Sequence, residues 1–224
     1  MKQKVAIVTG ANRGVGYSTV KTLSENGYRV IATVRDAAEA KKILPDNVEV
    51  HQLNLTNFSE IEMFFEKYKD IKLDLLVNNA GGGLSPTYII HETPENFKYA
   101  YDLNVTGPMY LCKLFLPCMK RSDSPSIIFI TSLGGKNPYP SGGNYTNAKR
   151  GQMGLADTIR IEFAEYNVTV TEICPGTIDT QKEKKDNALK PEDIAETIRW
   201  LSSLPNYMYV NLIELNHITS NRFK

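Results

Sequence analysis

Val5-Ala6-Ile7-Val8-Thr9-Gly10-Ala11-Asn12-Arg13-Gly14-Val15-Gly16 joins an unbroken apolar run to a glycine-rich turn, and a helical pattern follows. An apolar run without alternation reads as a strand buried on both faces. The glycines let the chain turn sharply and bring backbone N–H groups close to a phosphate-bearing ligand at the positive end of the next helix. Their G-x-x-x-G-x-G spacing departs from the general dinucleotide fingerprint, and such a turn alone is a weak signal.

Six further apolar, β-branched runs occur at Arg29–Val34, Val48–Leu53, Leu73–Val77, Ser126–Thr131, Val168–Ile173 and Tyr209–Leu215. Helical spacing fills residues 15–26, 37–43, 58–68, 94–120, 144–165 and 191–203. Strand and helix alternate throughout, which predicts a doubly wound parallel sheet of about seven strands with helices on both faces, a three-layer α/β/α fold. Thr93-Pro94-Glu95 and Pro191-Glu192-Asp193 mark two helix starts. With no repeat or linker, residues 1–224 read as one domain.

Composition narrows the function. The 26 Lys plus Arg nearly balance the 25 Asp plus Glu, so no basic surplus invites nucleic acid or an anionic membrane. No apolar run reaches the roughly 18 residues of a membrane helix, and Val5-Ala6-Ile7-Val8 is too short for a signal-peptide core, which predicts a cytoplasmic protein. Cys112, Cys118 and Cys174 lack C-x-x-C spacing and lie far from His51, His91 and His217 in sequence, so neither a disulfide framework nor a metal site is expected.

The residues suited to chemistry gather at the carboxyl ends of the predicted strands, where open parallel sheets bind ligands. Asn78-Asn79-Ala80-Gly81 follows the fourth strand, Asn104 lies in the next helical stretch, and Ser132 closes the fifth strand. Alone, Asn79 reads equally as a helix cap and Ser132 as a turn residue. Tyr145-Thr146-Asn147-Ala148-Lys149 then places a phenol and an ammonium one helical turn apart, on one face. A lysine beside a tyrosine stabilises the phenolate and makes the phenol a better proton donor at neutral pH.

Glycine turn, N-N-A-G, Asn, Ser and Y-x-x-x-K, in this order and near this spacing, resemble the short-chain dehydrogenase/reductase family over almost the whole chain. Pro175-Gly176-Thr177-Ile178-Asp179-Thr180 is similar to that family's nicotinamide segment. The resemblance implies a Rossmann-type domain and hydride transfer between a nicotinamide cofactor and a carbonyl or alcohol of a small molecule. It implies Tyr145 as acid/base, Ser132 as the hydroxyl that positions the reacting oxygen, Lys149 as ribose ligand, and Asn104 as support of a water relay. Cofactor contacts are implied for Gly10, Asn12, Arg13, Gly14, Val15, Gly16, Arg35, Asn54, Leu55, Asn79, Ala80, Gly81, Tyr145, Lys149, Pro175, Gly176, Thr177, Ile178 and Thr180. A 3-oxoacyl thioester reductase and a hydroxy-acid dehydrogenase are the nearest enzyme alternatives, and a non-catalytic NADPH sensor is the alternative of another class.

The chain also departs from the family's pattern. Asn54 stands where an aspartate near the adenine is usual, residues 181–190 form a short substrate-side segment, and Asn216-His217-Ile218 follows the last strand. Asn54 is uncharged but still hydrogen-bonds, so adenine binding is expected to be retained, while the other two differences leave the substrate open. Lys136, Tyr139, Gly134, Gly135, Gly142 and Gly143 border the substrate space or serve as turn residues. The charged loop 181–190 is expected to be mobile and to close over ligand.

Cofactor choice turns on the ribose 2′ position. The second strand ends without an acid, and Arg35 follows it; with Arg13 it suits the 2′-phosphate, so NADP(H) is expected over NAD(H). Asp36 reads as the cap of the next helix. The helix after Asn104 carries Val105, Met109, Tyr110, Leu111, Cys112, Leu114, Phe115, Leu116 and Met119, which predicts burial all round and a homodimer or homotetramer.

Overall fold

The computed structural model describes residues 3–82, 87–180, 186–205 and 207–220. Seven strands, β1 (Val5–Thr9), β2 (Arg29–Val34), β3 (Glu49–Gln52), β4 (Leu75–Asn78), β5 (Ser126–Ile130), β6 (Thr169–Pro175) and β7 (Leu212–Leu215), form one sheet in the order β3-β2-β1-β4-β5-β6-β7. Every pairing is parallel. The helices are α1 (Gly14–Glu25), α2 (Ala37–Ala40), α3 (Phe58–Tyr68), α4 (Pro94–Tyr101), α5 (Gly107–Met119), α6 (Leu133–Lys136), α7 (Gly143–Phe163) and α8 (Pro191–Ser202).

The unbroken apolar strands serve two cores at once. Val5, Ile7, Ile127 and Phe129 point to the face covered by α3, α5 and α7, where Phe64, Phe115 and Ile159 meet them. Ala6, Val8, Ile128 and Ile130 point to the opposite face, against Val20 and Leu23 of α1 and Ile194 and Ile198 of α8. Alternation along one strand thus fills two apolar layers, each large buried side chain contributing on the order of 1.5–3 kcal/mol. The strand order reverses direction between β1 and β4, and the crevice outside their carboxyl ends is where such sheets bind ligands.

The stretch 94–120, expected as one helix, is instead α4 and α5 joined by a π turn at Asp102–Thr106. Two residues cause it. Pro108 has no N–H to give to the carbonyl four residues back, and the Asn104 side chain donates from Nδ2 to the Ala100 carbonyl at 2.8 Å. The outer face of α5 is also narrower in apolar character than expected: Leu111, Cys112, Phe115, Cys118 and Met119 are fully buried, whereas Lys113, Pro117 and Lys120 face outward. β3, β4 and β7 are shifted or shorter than their apolar runs, and α6 has no counterpart in the expected pattern. The three cysteines are free and buried. Among the described residues, no helix is long and apolar enough to cross a membrane.

Candidate active site

At the β1–β4 crevice the glycines are required by close approach. A Cβ on Gly16 would lie 2.2 Å from the Gly10 carbonyl oxygen and 2.6 Å from Nδ2 of Asn79. Gly10 adopts φ +66° with its backbone packed against Ala80, and Gly14 adopts φ +52° beside the Thr180 methyl. Asn79 binds this loop directly, donating from Nδ2 to the carbonyls of Thr9 at 2.8 Å and Gly10 at 3.1 Å. Thr9, which the sequence reading did not single out, accepts at Oγ1 from the N–H groups of Asn79 (3.1 Å) and Ala80 (2.9 Å). Its hydroxyl thereby ties the two turns together.

The residues at this end fit a dinucleotide. The 12-residue α1 has Arg13 at its N-cap, whose side chain makes no cap hydrogen bond, and its first turn carries no acid. Its leading N–H groups and positive dipole end are left for an anion. Val15 and Gly16 are buried in that first turn, and Asn12 and Arg13 are exposed beside it. Arg35 is exposed just beyond β2, and neither arginine ion-pairs with an acid among the described residues. Asp36 accepts from the Glu39 N–H at 3.1 Å, so its carboxylate caps α2 as expected.

Asn54 and Leu55 sit in the turn before α3. Asn54 Oδ1 is engaged by the Thr56 N–H (3.1 Å) and hydroxyl (3.0 Å). The Leu55 side chain is buried in the core, and its carbonyl lies 2.3 Å from where a Cβ on Gly107 would fall.

At the other end of the crevice, Ser132 caps α6, its Oγ accepting from the Gly134 N–H at 3.1 Å. A Cβ on Gly134 would lie 3.4 Å from Ser132 Oγ, 3.2 Å from the Tyr145 ring and 3.1 Å from the Tyr139 ring. Serine hydroxyl and phenol therefore converge on one small space, with Tyr139 as its outer wall. Gly135 lets α6 rest on the backbone of α7 at Lys149 and Arg150. Burial raises the Tyr145 phenol above its ordinary value, a hydrogen bond with Ser132 opposes this, and Tyr139 and Cys174 add to the rise.

Lys149 is buried, and its ammonium donates to the Ile130 carbonyl at 2.8 Å and to Oε1 of Gln152 at 2.9 Å. Burial pulls it down to about 7, with Cys174 pushing weakly the other way. The phenol is thus raised by burial, where the sequence reading expected Lys149 to lower it. Asn104 is fully buried and exchanges hydrogen bonds with Gly82, Nδ2 to carbonyl at 2.7 Å and N–H to Oδ1 at 3.1 Å. It holds the N-N-A-G turn in place. Gly81 lies between it and the lysine, a Cβ there falling 2.6 Å from Asn104 Oδ1 and 2.9 Å from Lys149 Nζ.

Pro175 ends β6, and Gly176 donates its N–H to the Leu215 carbonyl at 2.8 Å. Thr177, Ile178 and Asp179 pair with Leu189, which carries Thr180 to the glycine loop. Of the loop 181–190, residues 181–185 lie outside the described residues. Its end is anchored rather than free of apolar contacts, because Ala188 is buried and Leu189 packs on the core.

Glu92 is a second residue that the sequence reading missed. It accepts from Asn144 Nδ2 at 2.6 Å, next to Tyr145 at the start of α7. Burial would raise its carboxyl, but hydrogen bonds from the Asn144 and Asn96 side chains and from the Asn144 and Thr93 backbone hold it below the usual range.

Comparison with known proteins identifies the family. The short chain dehydrogenase family profile matches residues 4–190. A 3-oxoacyl-[acyl-carrier-protein] reductase of Synechocystis sp. is 32% identical, with 92% of each chain covered. An NADP-dependent 3-hydroxy acid dehydrogenase of Escherichia coli is 30% identical, covering 97% of this chain and 96% of its own. A metagenomic short-chain oxidoreductase solved in complex with NADP superposes with a TM-score of 0.84 at 28% identity, covering 95% of this chain and 96% of its own. The closed form of serine dehydrogenase complexed with NADP+ gives 0.86 at 28% identity, covering 97% and 96%. The chain belongs to the short-chain dehydrogenase/reductase family and is an oxidoreductase with its Rossmann-type fold.

Proposed function

We propose that residues 1–224 form one catalytic domain that uses NADP(H) to reduce a ketone or aldehyde, or to oxidise the corresponding alcohol. The carrying observation is the convergence of Ser132 Oγ and the Tyr145 ring at Gly134, in the crevice that begins with the uncapped N-terminus of α1. When bound, NADPH supplies the hydride. The Ser132 hydroxyl hydrogen-bonds the substrate oxygen and stabilises the negative charge that develops there. The Tyr145 phenol donates its proton to the same oxygen. Because burial holds this proton on the phenol, the donor is fully loaded at neutral pH. Lys149 then serves the ribose, and Asn104 keeps Gly82 and the neighbouring turn in register with it.

For NADP over NAD the support is Arg13 and Arg35, both exposed beside the crevice and free of acidic partners among the described residues, with Asp36 committed to α2. The relatives named above also carry NADP in their names or structures. Substrates of the 3-oxoacyl thioester and 3-hydroxy acid classes follow from the relatives' activities and are the first to test. Loss of NADPH absorbance across a panel of these, with simple ketones and aldehydes, reads out the activity. Tight NADPH binding without turnover of any of them would favour a sensor instead. We further read the outer faces of α5 and α7, where Met109 is 37% and Ile161 79% exposed, as covered in a homo-oligomer. A monomer in light scattering at micromolar concentration would refute this.

A further inference from the structure

We propose that Gln152 is a positioning residue for Lys149: its amide oxygen fixes where the ammonium sits and favours the charged form of the lysine in the ligand-free protein. This rests on the reading of Lys149 as the ribose-side lysine of the active site.

The ammonium has three donors and is almost wholly buried. Two of its acceptors are defined, the Ile130 carbonyl and Gln152 Oε1, and Gln152 is the side chain among them. Gln152 itself is fully buried, so its amide has no water to fall back on. The lysine dictates its orientation, because only the oxygen can accept from an ammonium. That orientation leaves Nε2 buried and without a hydrogen-bond partner among the described residues. Leucine would occupy nearly the same volume and carry no orphaned donor, so packing gives no reason for an amide here. The stranded donor is explained by what the other end of the amide does.

The remaining groups around Lys149 supply no compensating charge. On α7 the phenol of Tyr145 lies one turn earlier; on β6 stands the thiol of Cys174, itself raised by burial; on the π turn is the neutral amide of Asn104, across Gly81. No described carboxylate bonds to the lysine. A group already drawn down to about 7 is half charged there, so losing one acceptor shifts the balance further toward the neutral amine.

The test uses the full-length, ligand-free protein with 13C-labelled lysine, the Lys149 side-chain resonance being assigned with Lys149→Arg. In Gln152→Leu the titration midpoint of Lys149 falls by about one pH unit, the effect of one hydrogen bond to a charged group, and in Gln152→Glu it rises. Thermal stability of Gln152→Leu equals or exceeds that of the wild type. NADPH affinity, read by nucleotide fluorescence, falls about tenfold at pH 8 but stays near wild type at pH 6. An unchanged midpoint in both variants, or equal losses of affinity at the two pH values, would overturn the proposal. If Gln152→Leu does not fold, Gln152→Met and Gln152→Glu give the same two directions. Lys149→Ala separates the two readings: undiminished NADPH binding in it would remove the ribose role while the shifted midpoint stood, whereas a damaged Lys149→Ala beside an unshifted midpoint sinks only the role of Gln152.

Discussion

The two ends of the crevice are built by different physics. At the β1–β4 end, backbone meets backbone: Gly10 against Ala80, Gly16 against the Gly10 carbonyl, with Thr9 and Asn79 closing the hydrogen bonds between the turns. At the β5–α7 end, buried and half-buried polar side chains set the geometry: Lys149 donates to Gln152, Asn144 donates to Glu92, and Ser132 accepts from the Gly134 N–H beside Tyr145. The first end is a steric mould that leaves the start of α1 open. The second is an electrostatic device in which a phenol and an ammonium are both displaced from their solution behaviour by burial. If the division is right, substitutions at the first end damage cofactor binding and those at the second damage chemistry.

The largest expected effect is at the second end. Tyr145→Phe keeps the ring that packs near Gly134 and removes only the proton donor, so kcat should fall at least about 100-fold with the NADPH dissociation constant nearly unchanged. Steady-state rates with a substrate from the panel, beside nucleotide fluorescence, measure both. A Tyr145→Phe protein with wild-type turnover would break the comparison at its strongest point.

Next comes the mould. A Cβ at Gly16 would stand 2.2 Å from a backbone oxygen, which cannot rotate away as a flexible side chain can. Gly16→Ala should therefore displace the glycine loop and weaken NADPH binding by at least about tenfold, which corresponds to 1.4 kcal/mol, with a lower melting temperature. Unaltered affinity and stability would show that the loop tolerates a side chain and is no mould.

This contrast also explains what could be read in advance. Steric constraints write themselves as glycines, and the unbroken β-strands write themselves as apolar runs, so the parallel sheet, the glycine turn and the order of site residues were visible in the sequence. Polar networks are assembled from distant segments, and Glu92 gives no local sign that it will cap the turn holding Asn144. Gln152 did leave a sign: Ala148, Ala156, Ile159 and Phe163 form the buried stripe of α7, and Gln152 falls within it, a polar residue buried on the same helix as Asn144 and Lys149. The π turn at Asp102–Thr106 was missed because a helical period runs through Asn104 without a break; the missing N–H of Pro108 was its only local mark. The direction of the Tyr145 shift was misjudged for a related reason. One-turn spacing put the lysine beside the phenol, but the ammonium turns inward to Ile130 and Gln152.

A smaller effect tests the rim of the mould. Arg35→Ala removes a cation from the exposed edge beyond β2 without touching the glycine contacts. The ratio of NADPH to NADH affinity should fall about tenfold, the worth of one charge-assisted hydrogen bond to phosphate, with NADH binding left nearly as it was. Equal losses for the two cofactors would show that the arginine serves the fold rather than the 2′-phosphate, and a wild-type protein that binds NADH more tightly would return Asp36 to the ribose.

The smallest effect lies outside both ends, where β6 carries a buried acid that belongs to neither. Glu172 packs with the guanidinium of Arg160 at 3.2 Å, and Arg160 in turn donates to the carbonyls of Val170 (3.0 Å) and Asn211 (3.2 Å), joining α7, β6 and the approach to β7. Burial raises its carboxyl to about 7 despite the arginine's hydrogen bond, with Asp157 adding to the rise. A carboxyl raised on folding is protonated more readily in the native than in the unfolded chain, so its contribution to stability is greatest below the unfolded value and is lost as pH rises through about 7. The melting temperature of the wild type should therefore carry a component that declines between about pH 5 and pH 8, worth roughly 2–4 °C for each kcal/mol. Glu172→Gln keeps the shape and the hydrogen-bonding oxygen and removes the titration. Its melting temperature should decline less over the same interval, with NADPH affinity unchanged. An identical pH slope in the two proteins would mean that the Arg160 clip holds the carboxylate ionised throughout, and that this junction is as insensitive to pH as the glycine mould.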